Sequence, residues 1–384
     1  MNMEELCAEK DRPVAVVGGG IIGLSVGWQL VRRGKPVVLF ERERSGRAAS
    51  WIAAGMLAPH AEVGFEEEDF LRMGLESLRE YPRFLQELEA DTGHRIRLDE
   101  RGTLIVGFDR DDSERMRRLY EFRRGLELPV DWLAGSEARD IEPLLSPRVT
   151  SAIWLPDDGQ VNNRAVLEAL REAFVTCGGD LRENCPVTAI HCDGDRARGV
   201  EASGETHGAS AVVVAAGCWS GGIKGIPEAL RPPVRPVKGQ LVSLRMNGDT
   251  ALGRAIRAPD VYLLPKDDGR LLVGASQEEM GFDDQPTAGP VLRLLQRGWE
   301  AVPFIYDLPL ENVDVGLRPG SRDNEPIIGA APIPGLYYAT GHHRHGILLA
   351  PLTAYAMSEL IIDGGTRPCL EAARPERFRV ARGV

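Results

Sequence analysis

Basic side chains are in deficit. The 384-residue chain has 46 lysines and arginines against 57 aspartates and glutamates, a net charge of -11, which disfavours a nucleic-acid backbone as main ligand and leaves small molecules and proteins. Cysteine is scarce: six residues, at 7, 177, 185, 192, 218 and 369, form no CxxC pair and no regular spacing. A structural zinc and a disulfide scaffold are therefore not expected, and scattered thiols fit a reducing, cytoplasmic compartment. The opening MNMEELCAEKDRP has acidic residues and no apolar core, so a secretory leader is not expected. The uncharged stretch Val14 to Val31 holds five glycines, which punctuate a strand, a turn and a helix start rather than a membrane span. No fixed-period repeat or low-complexity tract is present.

What is present is an ordinary globular mix, 43 % hydrophobic and 27 % charged, long enough for about two or three domains. Val14 to Val17 form a short apolar run of the buried parallel-strand kind. Gly18, Gly20 and Gly23 follow as GxGxxG, after which Ile22, Val26 and Leu30 recur at helical spacing; Gly34 stops the helix, and a second strand, Pro36 to Phe40, ends at Glu41. The glycines permit a tight turn, close backbone approach to a pyrophosphate and close helix packing, while the helix N-terminus presents free N–H groups to phosphate. Glu41 lies near the spacing at which a carboxylate meets ribose hydroxyls. A bound dinucleotide follows. The glycines do not choose between NAD and FAD, but the chain does not continue as alternating strands and helices, and the small residues from Ala48 to Met56 would let the backbone lie against an extended cofactor, which favours a flavin.

Further on, Leu71 to Thr92, interrupted by Pro82, and Ala165 to Cys177 read as helices. Thr103–Val106, Val187–Ile190, Ala211–Ala215, Gln240–Leu244, Val261–Leu264 and Arg270–Val273 read as strands. Leu348, Leu352, Ala356 and Leu360 mark a closing helix. The arginines at 115, 117, 118, 123 and 124 read as a solvated helix face, and the tail after Thr366 as loosely attached.

Seven segments in order, VVGGGIIGLS (16–25), AAGMLAPHAE (53–62), VVVAAGCWS (212–220), RPVKGQ (235–240), VYLLPKDDGRLLVGAS (261–276), GLRPGSRDNEPIIG (316–329) and ATGHHRHGILLAP (339–351), resemble the D-amino acid oxidase superfamily of FAD enzymes, and within it the glycine oxidases of thiamin biosynthesis. The resemblance implies a mixed α/β fold: a Rossmann-like FAD-binding domain from residues 1–85, 150–225 and 310–384, and a mainly antiparallel substrate domain from 86–149 and 226–309. It places Ile21 and Ile22 at the pyrophosphate, Glu41 and Arg42 at the adenosine ribose, Ala54, Gly55 and Met56 on the flavin approach and Val187 at adenine, with Gly18, Gly20, Gly23, Ala49, Ser50 and Gly217 also at the cofactor. His342, His343, Arg344, His345, Gly346, Ile347 and Leu348 would wrap the flavin ring, with a helix starting near Gly346 aimed at its pyrimidine edge.

For substrate, the resemblance puts Arg318 opposite an amino acid carboxylate, with Tyr262 and Arg344 beside it. A guanidinium suits this role through two parallel hydrogen bonds. Oxidation of glycine, sarcosine or a small D-amino acid would give an imine, then glyoxylate and ammonia in the case of glycine, with dioxygen reduced to hydrogen peroxide. Family likeness further implies a homotetramer and a hand-off to thiazole synthase. Asp260, Gln277 and His345 depart from the glycine oxidase pattern and loosen the inference to glycine. Two other readings of the same fold stay open: a partner-dependent flavoprotein acting on a protein side chain, and a dehydrogenase with a non-oxygen acceptor. Taken singly, Arg318 could be an ion-pair partner of Asp323 or Glu325, and Tyr262 a half-buried sheet residue. The three histidines share one loop with no fourth ligand, so no metal is expected.

Overall fold

A computed structural model of the chain describes residues 12–246 and 251–378; Cys7 lies outside the described residues. Val14–Val17 sits inside a six-stranded sheet ordered Ile327–Ala330, Leu336–Thr340, Ala211–Val214, Val14–Val17, Val37–Phe40, Asp180–Arg182. All neighbours are parallel except the first pair. Both faces are covered, which is why the central strands are continuously apolar. Val14 and Val16 face the helices Ile21–Arg32, Glu68–Thr92, Asn163–Thr176 and Ala350–Asp363. Ala15 and Val17 face a three-stranded meander, Val187–Asp193, Arg196–Ala202 and Glu205–Gly208.

The helix around Pro82 is not interrupted but runs from Glu68 to Thr92. Losing one backbone hydrogen bond there costs roughly 3 kcal/mol, and burial of Tyr81, Phe84, Leu85 and Leu88, at roughly 1.5–3 kcal/mol for each large apolar side chain, outweighs it.

The second layer is an eight-stranded sheet ordered Leu310–Gly320, Arg235–Arg245, Arg270–Gly274, Val261–Pro265, Ala255–Ala258, Thr103–Gly107, Ser151–Leu155, Asp131–Ala134. One neighbouring pair, Ala255–Ala258 with Thr103–Gly107, is parallel, and the rest are antiparallel. Two segments read with the dinucleotide part are strands here: Ser151–Leu155 pairs with Thr103–Gly107, and the eleven-residue Leu310–Gly320 pairs along the equally long Arg235–Arg245.

Two further expectations need correction. Arg123 does not share a solvated face: it is 1 % exposed, and its guanidinium donates to the carbonyls of His60 at 2.6 Å, Ala61 at 3.0 Å and Val63 at 3.3 Å. A loop with unpaired carbonyls was the stronger claim on that charge. The chain after Thr366 is tied down through Phe378, because Leu370 and Ala373 are buried, Arg367 pairs with Glu80 and Glu359, and Arg377 pairs with Asp323; residues 379–384 lie outside the described residues. Among the described residues no helix is long and apolar enough to cross a membrane, and the described cysteines are free thiols.

Candidate active site

The turn after the first strand is shaped by what glycine lacks. Gly18 has φ of +106°, and a β-carbon there would lie 2.5 Å from the Ala215 carbonyl oxygen. Gly20 opens the helix Ile21–Arg32 and supplies no side-chain cap of its own. The Ile21 amide donates to Ser50 Oγ at 3.0 Å, and the Gly19 amide to Glu41 Oε2 at 2.7 Å. Glu41 also accepts from the Glu43 amide, which fixes its carboxylate at the turn. Across from it the Arg42 guanidinium lies 3.6 Å from the centre of the Trp219 ring.

From this turn a cavity of about 1270 Å³ reaches the face of the eight-stranded sheet, more than the roughly 300–1,000 Å³ of an ordinary small-molecule site. Gly18, Gly20, Ile21, Ile22, Glu41 and Arg42 line one end. Ala49, Ser50, Ala54, Gly55, Met56, Val187 and Gly217 line its length. Tyr262, Arg318, Arg344, His342, His343, Gly346 and Ile347 complete the wall.

Three expected residues are not in that wall. Gly23 is a packing glycine, since a β-carbon on it would overlap the Gly18 carbonyl oxygen. His345 turns away and lies against Phe70, ring centres 3.9 Å apart. Leu348 is buried behind the site, where its carbonyl accepts from the Ser77 hydroxyl at 2.6 Å. The closing helix starts at Ala350 rather than near Gly346; turns fill the gap, with the Leu349 amide donating to the His345 carbonyl at 2.9 Å.

At the far end two glycines make a floor. Gly274 faces Tyr262 across strands, and a β-carbon on it would lie 2.6 Å from the phenol oxygen. Gly239 lies under Arg318, 2.5 Å from a β-carbon position to Cζ. Both long side chains can therefore lie flat on the sheet. Arg318 donates to the Ser276 carbonyl at 3.0 Å, and among the described residues no carboxylate is within ion-pair distance of it. Asp323 is engaged by Arg377 and Ser321 instead, and Glu325, its pKa pushed up to about 7 by burial and by Asp323, forms no ion pair with it either. Burial draws the Arg318 pKa below its usual value and raises that of Tyr262.

Arg344 is not free to meet a substrate with its whole guanidinium. Its Nε lies 2.6 Å from Glu62 Oε2, and Glu62 Oε1 accepts from Arg257. Arg257 also lines the cavity and was missed. It lies on Ala255–Ala258, where the sequence reading placed no strand, and it pairs in register with Tyr262; burial and Arg344 bring its pKa down to about 10. Strand alternation on both sides of a turn at Asp260 would have been the signal. Asp260 and Gln277 line the cavity as well. Glu62 itself is placed by a buried network in which Asp158 accepts from the His60 and Ala61 amides and pairs with His60 Nδ1 at 2.8 Å, while Arg123 grips the carbonyls.

Burial drives the pKa of His342 and His343 down to about 3, so both are neutral. His342 Nε2 meets Thr353 Oγ1 at 3.1 Å, whereas both ring nitrogens of the buried, wall-forming His343 lack a partner among the described residues. An orphaned polar ring, a glycine cradle at helix amides and an anchored carboxylate are what a polar, extended dinucleotide would satisfy, so the residues fit FAD. No cluster of three or more metal-ligating side chains occurs among the described residues.

The family model for FAD dependent oxidoreductases (DAO) matches residues 13–360. Glycine oxidase of Geobacillus kaustophilus is 35 % identical over 350 residues, which are 91 % of this chain and 92 % of that protein. A crystal structure of glycine oxidase from the same organism superposes with a TM-score of 0.88 at 34 % identity, covering 97 % of this chain and 99 % of that one. The bifunctional protein ThiO/ThiG of Synechocystis sp. is 35 % identical over 370 residues, 95 % of this chain, and the chain spans 54 % of that longer protein. Iminodiacetate oxidase from Chelativorans sp. superposes with a TM-score of 0.85 at 27 % identity, covering 94 % and 98 %. With its glycine turn, two-sheet cavity and near-complete match to these proteins, the chain belongs to the FAD-dependent amino acid oxidases of the DAO family, beside the glycine oxidases.

Proposed function

We propose that the chain oxidises glycine and similarly small amino acids, sarcosine and small D-amino acids among them. The observation that carries this reading is Arg318: a half-buried guanidinium, without a carboxylate partner among the described residues, lying in the cavity wall beside Tyr262. Such a charge calls for an anionic ligand. Arg318 would take the substrate carboxylate through two parallel N–H bonds, and Tyr262 would add its hydroxyl. The Ser276 carbonyl, held against Arg318, keeps that fork from rotating.

FAD, when bound, supplies the acceptor for the hydride that leaves the amino acid α-carbon. Gly18, Gly20 and the amides beyond them would hold its pyrophosphate, Glu41 its ribose, the Val187 backbone its adenine, and the segments Ala49–Met56 and His342–Ile347 would border its ring. The neutral His342 and His343 put polar but uncharged groups there. The substrate end needs no general base from the chain: it aligns the Cα–H and keeps water from the reacting end. For glycine the products are glyoxylate and ammonia after hydrolysis of the imine, with dioxygen reduced to hydrogen peroxide.

The fused name of the Synechocystis relative supports a hand-off to a thiazole-forming partner in thiamin biosynthesis, and this reading includes a cytoplasmic location and a homotetramer. The two-part division follows the two large sheets, with Ser151–Leu155 and Leu310–Gly320 counted on the substrate side. Anaerobic mixing with glycine, sarcosine, D-alanine, D-proline and L-amino acids should bleach a yellow protein with the first four, and air should return peroxide equal to the glyoxylate formed. A colourless protein that takes up no FAD, or a flavin reduced by none of these, would overturn the proposal.

A further inference from the structure

On the floor of the substrate end Leu241, Gly274, Tyr262 and Arg257 form one cross-strand row, and Arg318 enters from the opposite side over Gly239. The two guanidiniums thus bracket the glycine floor and the Tyr262 ring: from Gly239, under Arg318, to Arg257 is three strand spacings, roughly 14 Å before the side chains reach inward. Arg344 neighbours both and contributes to lowering the pKa of each.

The carboxylates nearby do not match these charges. Glu62 is shared between Arg257 and Arg344, and Glu67 lies 3.9 Å from Arg344. Glu278 is taken by the Ser276 hydroxyl at 2.6 Å and the Gln240 amide at 2.9 Å. Asp260 sits in the turn with φ of +62° and acts on Arg297 of the helix Ala288–Ala301. Arg257 donates to Glu62 alone among the described residues, and it lines the cavity. A substrate with one carboxylate engages Arg318 and leaves Arg257 with only its share of Glu62, so a second carboxylate on the ligand would find a guanidinium to meet.

Building on the amino acid oxidase reading, we propose that the pocket prefers a small amino acid carrying a second anionic group, with Arg318 holding the α-carboxylate and Arg257 the distal one. The bond oxidised is the same Cα–N bond, and the electrons take the same route; only the binding of the far end differs. Arg257 is here a specificity-determining residue.

The test uses the FAD-loaded enzyme at constant ionic strength with glycine, D-alanine, D-aspartate, D-glutamate and iminodiacetate. At least one diacid should exceed glycine in kcat/KM by about tenfold or more, mostly through KM. Arg257→Gln should collapse that ratio toward unity, and Arg257→Lys should restore part of it. On the unmodified enzyme, malonate or succinate should inhibit at lower concentration than acetate or propionate, which keeps the proposal testable if the variants fold poorly. Glycine outperforming every diacid, or a ratio unchanged in an FAD-loaded Arg257→Gln variant, would overturn this proposal alone. Failure of every amine, glycine included, to reduce the flavin would overturn the amino acid oxidase reading, and this one with it.

Discussion

At the scale of single residues, the site depends as much on missing side chains as on charged ones. Gly239 exists so that Arg318 can lie flat. A Gly239→Ala methyl would stand 2.5 Å from the guanidinium carbon, far inside contact distance, so the fork must lift from the sheet. Steady-state kinetics should show KM for glycine rising about tenfold or more with a smaller change in kcat; an unchanged KM would refute the platform role. Arg318→Ala removes the charge itself and should lower kcat/KM by roughly 2–5 kcal/mol, nearly abolishing turnover at ordinary glycine concentration. The motifs made Arg318 and Tyr262 legible, because planar guanidinium chemistry can be read from a residue type. They overstated Gly23, His345 and Leu348, which belong to the same motifs but lie behind the wall. Membership of a motif does not say which way a side chain turns.

At the scale of elements, buried polar residues hold loops where the site needs them. Residues 275–287 connect Arg270–Gly274 to the helix Ala288–Ala301, and they are fastened from below by the strand Arg235–Arg245. Lys238, fully buried, donates to Asp283 Oδ2 and to the Gln285 carbonyl, both at 2.6 Å; Gln240 donates to Glu278 and Thr287. This is the loop whose Ser276 carbonyl restrains Arg318, and whose Phe282 stacks on Trp219 with ring centres 5.7 Å apart. Lys238→Met should therefore raise KM for a carboxylate substrate several-fold more than it lowers kcat, with Lys238→Arg recovering part of the loss; equal effects on both parameters would argue for a global defect. Arg123→Met acts on stability instead. It strips three buried carbonyls of their donor, and the denaturant midpoint should fall by the equivalent of about 3–5 kcal/mol. Periodicity marked the helices Glu68–Thr92 and Asn163–Thr176 within a few residues but not Ala288–Ala301. It missed the strand Ala255–Ala258, where Arg257 breaks the apolar run that marked other short strands such as Val261–Leu264.

For the whole molecule, pH acts through groups buried between layers. Lys266 is 6 % exposed and donates to Gln160 Oε1 and the Val161 carbonyl, both at 3.0 Å, beside Gly55. Burial takes its pKa from 10.5 down to about 7. Between those values the unfolded chain carries a proton that the folded one has lost, so stability rises with pH across this window, and below about 7 the cost of the buried charge is fully present. Urea midpoints of wild type and Lys266→Met, compared at pH 6.5, 8 and 9.5, should show wild type gaining on the variant as pH rises. A difference independent of pH would show that Lys266 keeps an ordinary pKa.

Some properties of this protein follow from local sequence because their physics is local. A strand, a glycine turn and a helix of period near four can be read within the 30 or so residues that form them, and with them the phosphate-binding end of the cavity. The other end is assembled from residues 62, 239, 257, 262, 274, 318 and 344, which come together only through the order of strands in the eight-stranded sheet and the loop pinned by Arg123. Which arginine remains without a carboxylate, and what flanks it, depends on those long-range pairings, and no spacing along the chain encodes them.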